Sequence, residues 1–181
     1  MTVKTALVSD APTISYLGRK TFTETFAHLF NYDELNNYLD DTFNISKLEN
    51  SLLKNQNVFG ILHYSHKPIG YYKVKIGSHY DNSFNEDFAQ LQKIYILQDY
   101  LELKLGIVMM DHILNLKEIR KCKTIWLVVL RTNSRAVHFY LNQGFRKIDN
   151  YYYTIGSQRL EYDLITKNIK KPPSIDRGFK I

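Results

Sequence analysis

The chain has 181 residues and 44% apolar content, enough for one domain with a real core and too apolar for a disordered one. Its net charge of +6 hints at a nucleic-acid partner, but Lys167, Lys170, Lys171, Arg177 and Lys180 against Asp176 place four of those charges in the last fifteen residues and leave two for the body. With no compact basic patch elsewhere, nucleic acid is not an expected partner. A single cysteine, Cys122, rules out an internal disulfide. Met1–Asp10 lacks the apolar run of a signal peptide, and no stretch reaches the ~18 apolar residues of a membrane span, so a cytoplasmic protein without a membrane partner is expected. The 14 tyrosines suit pocket walls and interfaces as well as a biased coding composition.

In chain order, Thr2–Val8 alternates weakly and reads as a first strand. Ser9 or Asp10 can cap a helix with Pro12 in its first turn, and Ile14, Leu17, Phe22 and Phe26 continue it at helical spacing. Asp33–Phe43 is a second amphipathic helix through Leu35, Tyr38, Leu39 and Phe43. Ser46 opens a third, with Glu49 at the capping-box position. Val58–Tyr64 and Ile69–Ile76 flank Ser65-His66-Lys67-Pro68 as a hairpin. Gly77–Asp87 is polar and reads as a loop.

Phe88–Leu97 is a strand anchored by Leu91, Ile94 and Ile96, and Leu105–Leu116 is a helix. Thr124–Leu130 is almost continuously apolar, the pattern of a strand covered on both faces. Ser134–Asn142 is a helix stopped by Gly144. Arg146–Ile155 and Arg159–Thr166 close the domain around Gly156-Ser157, and Lys170–Ile181 reads as a frayed or docked end. The order predicts an α/β (α+β) fold, a mixed central sheet of about six to seven strands with helices on both faces. It forms one domain over residues 1–166, followed by a basic tail over residues 167–181.

Three local patterns name a family. They are the strand Leu91-Gln92-Lys93-Ile94-Tyr95-Ile96 with Asp99-Tyr100, the loop Leu101-Glu102-Leu103-Lys104-Leu105-Gly106, and Asn133-Ser134-Arg135-Ala136-Val137-His138-Phe139-Tyr140 closing on Gln143-Gly144-Phe145. The third, the most specific, is similar to the Asn-x-x-Ala-x-x-Phe-Tyr…Gly-Phe signature of GNAT-superfamily N-acetyltransferases. Thr21–Phe26, then Leu35 and Tyr38-Leu39, resemble the helical region of the polyamine-acetyltransferase-like branch. The resemblance covers residues 2–166 and implies the GNAT fold, with acetyl-CoA as cosubstrate, no metal, and an amine acceptor such as a polyamine, a small amine or a lysine or N-terminal amine.

It also implies residue roles. The strand edge at Ile94, Tyr95 and Ile96 takes the pantetheine arm in a gap beside the next strand, with Tyr95 facing away from Ile94 and Ile96. The loop Leu101, Glu102, Leu103, Lys104, Leu105 and Gly106 takes the pyrophosphate at a helix N-terminus. That loop departs from the family pattern: Leu101 stands where Gln or Arg is usual, Lys104 stands where the first glycine is usual, and only Gly106 is kept. Lys104 either substitutes charge for backbone access or marks a degraded site. Asn133 and Ala136 follow the cofactor, and Tyr140 is the general acid that protonates the leaving thiolate.

No general base stands out. Gln90 occupies the neighbourhood where many relatives carry Glu, while Glu24, Glu86, Asp87 and His138 are candidates without a clear claim. Asp33, Glu34, Asp40 and Asp41 would suit a cationic amine or simply face solvent. Tyr151-Tyr152-Tyr153 suits a homodimer contact or a core strand equally. Two readings remain open: an active acetyltransferase, and a catalytically weakened or inactive binding module on the same fold.

Overall fold

The structure, a computed structural model, describes residues 1–169. The end segment Lys170–Ile181 therefore lies outside the described residues. Seven strands, β1 (Thr2–Thr5), β2 (Asn57–Tyr64), β3 (Lys67–Ser78), β4 (Phe84–Ile96), β5 (Thr124–Leu130), β6 (Arg146–Ile155) and β7 (Gln158–Asn168), form one sheet in the order β1-β2-β3-β4-β5-β7-β6. Only β4 and β5 run parallel; every other neighbouring pair is antiparallel. β7 runs on through Lys167 and Asn168, pairing them with Ile125 and Thr124 of the central strand.

Helices α1 (Ala11–Phe26), α2 (Tyr32–Thr42), α3 (Ile45–Leu52), α4 (Leu105–Leu114) and α5 (Ser134–Asn142) cover the sheet. Neighbouring β3 residues show the two covered faces. Tyr71 points toward Gly18 of α1, while the ring of Tyr72 lies 5.8 Å from that of His112 on α4. Both tyrosines are buried, so both faces contribute core.

Several local expectations change in detail. β1 stops at Thr5, because Asp10 accepts the Leu7 N–H at 2.8 Å and folds Val8–Asp10 into a 3-10 turn ahead of α1. Asn31, not Asp33, starts α2: its side chain accepts the Glu34 N–H at 2.9 Å, and Glu34 reaches back to the Asn31 N–H at 3.3 Å. Asn44 rather than Ser46 opens α3, accepting the Lys47 N–H at 3.1 Å. The stretch expected as a polar loop over Gly77–Asp87 mostly belongs to strands. β3 extends to Ser78 and β4 begins at Phe84, with a tight turn between them in which Asp81 accepts the Ser83 N–H at 2.8 Å.

α1 closely approaches Phe43, the residue that follows α2. A Cβ built on Gly18 would sit 2.4 Å from two ring carbons of Phe43, a side chain 1% exposed. Alanine improves helix propensity by about 1 kcal/mol, but the buried ring cannot move aside without opening the core. Gly18→Ala is therefore expected to destabilise the fold by about 1–2 kcal/mol net in urea unfolding, and Phe43→Leu added to it should recover part of that loss.

Candidate functional site

The site begins with a defect in the sheet. Along β3 and β4, Lys73 faces Lys93 and Val74 faces Leu91, so Gln92 is an extra residue in β4. Such a bulge bends its strand and increases its twist. On the other side, the β4–β5 ladder holds only Phe88↔Thr124, Ala89↔Ile125 and Gln90↔Trp126, although β4 continues to Ile96 and β5 to Leu130. The two parallel strands thus part where the bulge occurs, and the β4 backbone from Leu91 onward presents an edge without a ladder partner in β5.

A cavity of about 690 Å³ occupies this gap. At one end it is lined by Leu101, Lys104, Gly106, Asn133, Ala136 and Tyr140; at the other by Phe22, Phe26, Tyr38, Tyr151, Tyr153 and Tyr162. Ile94, Tyr95 and Ile96 run along the wall between them. Three residues expected at the loop do not line it. Glu102 points outward, its side chain 92% exposed and 3.6 Å from Arg135; Leu103 is exposed; Leu105 is buried in the core. The 3-10 geometry of Gln98–Leu103 causes this, since it sends successive side chains in three directions.

The loop reaches a glycine-like shape with its glycine in another place. Lys104, at φ 54°, adopts the left-handed conformation at the position where the resemblance expects glycine, and it is the N-cap residue of α4. Gly106 has a different duty: a Cβ there would meet the Phe139 ring of α5 at 3.3 Å, so its hydrogen lets the two helices approach. The Ile107 N–H donates to the Lys104 carbonyl at 3.1 Å, which leaves the N–H groups of Leu105 and Gly106 at the start of α4 without intrahelical acceptors, beside Lys104 in the cavity lining. That arrangement suits an anion.

On α5, the Asn133 side-chain oxygen accepts the Ala136 N–H at 3.1 Å and caps the helix. Tyr140, 8% exposed, packs edge-on against Phe139 and Phe145, and burial raises its phenol well above the ordinary tyrosine range. It is therefore neutral and able to donate at any working pH. His138 turns back to its own helix, with Nδ1 2.7 Å from the Ser134 carbonyl. Gly144 closes α5 at φ 81°.

None of the candidate carboxylate bases lines the cavity. Glu24 accepts the Gln98 N–H at 2.9 Å, Asp87 pairs with Lys123 at 2.6 Å, and Glu86 is exposed. Two cationic wall residues escaped the sequence reading. Arg135 sits inside the Asn133–Tyr140 signature at a position the pattern leaves open, and Lys93 was hidden because the bulge sets which face it takes. Among the described residues, no group of three or more His, Cys, Asp or Glu could hold a metal ion, and no helix is long and apolar enough to cross a membrane.

Residues 20–145 match the sequence pattern of the acetyltransferase (GNAT) family. The chain is 22% identical over 158 residues to an uncharacterized N-acetyltransferase in the pepI 3′ region of Lactobacillus delbrueckii subsp. lactis, covering 87% of this chain and 91% of that protein. It is 24% identical over 149 residues to spermidine N(1)-acetyltransferase of Thermoplasma acidophilum, covering 78% and 86% respectively. Among solved structures, the PaiA N-acetyltransferase of Thermoplasma acidophilum in complex with coenzyme A superposes with a TM-score of 0.74 at 20% identity, over 93% of this chain and 99% of that one.

A lysine held left-handed carries strain of about 1–2 kcal/mol that glycine does not, partly offset by glycine's greater freedom when unfolded. Lys104→Gly is expected to raise stability by about 0.5–1 kcal/mol in urea unfolding, and Lys104→Val to lower it.

Proposed function

The chain belongs to the acetyltransferase (GNAT) family and is an acyl-CoA-dependent N-acetyltransferase; from that premise we propose that it moves an acetyl group from acetyl-CoA directly to a primary amine inside the split between β4 and β5. The observation that carries this reading is the end of the β4–β5 ladder at Gln90 and Trp126, with one continuous cavity beyond it. An open strand edge can hydrogen-bond an amide-bearing arm as an added strand would. The residues present fit the cosubstrate: an anion-compatible helix start at α4, an unpaired β4 edge along Ile94–Ile96, and a neutral phenol at Tyr140.

This reading gives each residue a role. The α4 N–H groups and the Lys104 charge hold the pyrophosphate. Arg135, also at the cavity wall, adds a second cation, and its 3.6 Å pair with Glu102 offsets the charge of that exposed carboxylate. The Asn133 oxygen is committed to its cap, so its amide N–H groups are what it can offer the cofactor arm. In the reaction the amine nitrogen bonds to the thioester carbonyl carbon and the C–S bond breaks. Tyr140 gives its proton to the departing sulfur, and a proton lost from the nitrogen restores the balance. The acceptor must be neutral when it attacks, since an ammonium has no lone pair.

Calorimetric titration with acetyl-CoA tests the binding, and amine-dependent thiol release tests the chemistry. Tyr140→Phe should lower turnover about 100-fold and leave acetyl-CoA affinity nearly unchanged. Absence of binding heat at millimolar cofactor would falsify the reading. Because Lys104 already holds the glycine conformation, Lys104→Gly should leave backbone access intact and report the charge alone: weaker CoA binding with a shallower salt dependence. Tighter binding would instead mean that the side chain obstructs the phosphates.

A further inference from the structure

The acceptor end of the cavity is walled by rings. Phe22 and Phe26 of α1 lie 4.8 Å apart, and Phe22 and Tyr38 of α2 stack at 4.4 Å. Tyr151 and Tyr153 of β6 and Tyr162 of β7 close the opposite wall. These phenols are not acids in practice: burial raises Tyr38 and Tyr95 and pushes Tyr162 up to about 12. Among the described residues, no aspartate or glutamate lines the cavity at either end.

The nearby acids are engaged elsewhere. Asp40 pairs with Arg19 at 2.7 Å and Asp41 pairs with Lys47. Glu34 accepts both the backbone N–H and the hydroxyl of Ser157, at 2.7 and 2.6 Å. Of the acidic cluster on α2, only Asp33 has no such partner among the described contacts, and it is exposed and outside the cavity wall.

One ionic side chain does face this end. Lys93 lines the cavity with Nζ 5.1 Å from the Phe43 ring centroid and 5.8 Å from that of Tyr95. The bulge at Gln92 puts it on this face, directly opposite Lys73 of β3. Rings stabilise a cation without neutralising it, and no carboxylate pairs with Lys93 among the described residues. Burial, and then the Lys73 charge, lower Lys93 to about 8, which leaves it mostly cationic at pH 7. A polyamine would bring several further positive charges beside Lys93 and Lys73 with no anion to meet them. An amine with its own carboxylate would supply the missing counter-charge, and an apolar or aromatic body would fill the ring-lined space.

Resting on the acetyl-transfer reading above, we propose that the acceptor is an amino-acid-like primary amine, with an apolar body and a carboxylate that pairs with Lys93, and that polyamines are discriminated against. Lys93 is in this view a specificity residue that touches substrate, not the base.

The test uses purified protein, acetyl-CoA, a panel of apolar and aromatic L-amino acids, their matching carboxamides, phenethylamine and spermidine. Acids should exceed their carboxamides about tenfold or more in kcat/KM, the worth of one charge-assisted pair, and should exceed spermidine as well. Lys93→Met should raise KM for the acids about tenfold and bring their kcat/KM down to that of the matching carboxamides. Lys93→Arg should keep the preference, and thermal melts of both variants establish that they are folded. Equal or better use of carboxamides or spermidine by the unaltered protein overturns the acceptor class while acetyl transfer stands. An equal fall in kcat for acids and carboxamides in Lys93→Met overturns it too, assigning Lys93 to proton removal. Thiol release with none of these amines, while acetyl-CoA still gives binding heat, overturns the acceptor class alone; absence of that heat overturns the transfer reading and this one with it.

Discussion

The functional architecture depends on one extra residue in a strand. Gln92 breaks the register between β3 and β4, and β4 leaves its ladder with β5 just before that point. If β4 were regular, the parallel pairing could continue toward Ile96 and Leu130, filling the gap with backbone hydrogen bonds. A buried sheet normally pairs such groups, so an edge left open in the middle of one demands another partner. The bulge also decides chemistry on the two faces. Past it, Ile94 shares the Tyr72 side with Leu91, while Lys93 and Tyr95 take the Tyr71 side against α1 and α2. One insertion therefore accompanies the split and places a lysine on the α1 side of it.

The phosphate end shows how a glycine-dependent shape survives the loss of glycine. A left-handed residue ahead of α4 is what the turn needs, and Lys104 supplies it at φ 54°. The cost of that conformation in a non-glycine residue is about 1–2 kcal/mol, small against the stability of a domain of this size. In return the residue brings a positive charge to the helix start. The glycine that was kept, Gly106, answers to a packing demand from Phe139. Counting glycines in the loop thus measures two different constraints at once, and only one concerns the anion.

Much of the fold was legible because it rests on periodicity and stop signals. The continuous run Thr124–Leu130, the helix Ser134–Asn142 with its glycine stop, and the closing hairpin at Gly156-Ser157 stand where the pattern puts them. Helix starts were less legible, since Asn31 and Asn44 cap as well as the aspartate and serine beside them. The misread stretch Gly77–Asp87 is polar because the turn and the start of β4, Asp81–Glu86, are mostly exposed, and polarity there mimics a loop. The bulge itself left a trace that alternation alone passes over. Leu91, Ile94 and Ile96 are spaced by three and then two, and a strand keeps such residues on one face only by inserting a residue. Which polar side chain then enters the cavity follows from three-dimensional register, so Lys93 could not be singled out from composition.

The tyrosines gain a physical account in the same way. Tyr38, Tyr95, Tyr140, Tyr151, Tyr153 and Tyr162 all meet the cavity. A phenol gives a wall apolar area together with a polar tip, and it remains uncharged when burial raises its pKa. A wall of tyrosines can thus be dry enough to favour a neutral amine without adding a formal charge of either sign. The electrostatics of the space are then set by the few ionic groups left in it: Lys104 at the start of α4, Arg135 on α5 and Lys93 on β4. All three are cations, Asp40, Asp41 and Glu34 of α2 are tied to Arg19, Lys47 and Ser157, and no carboxylate lines the cavity among the described residues, so its lining carries positive charge only. The sign of the field in such a split therefore comes from which side chains line the gap, not from the gap itself.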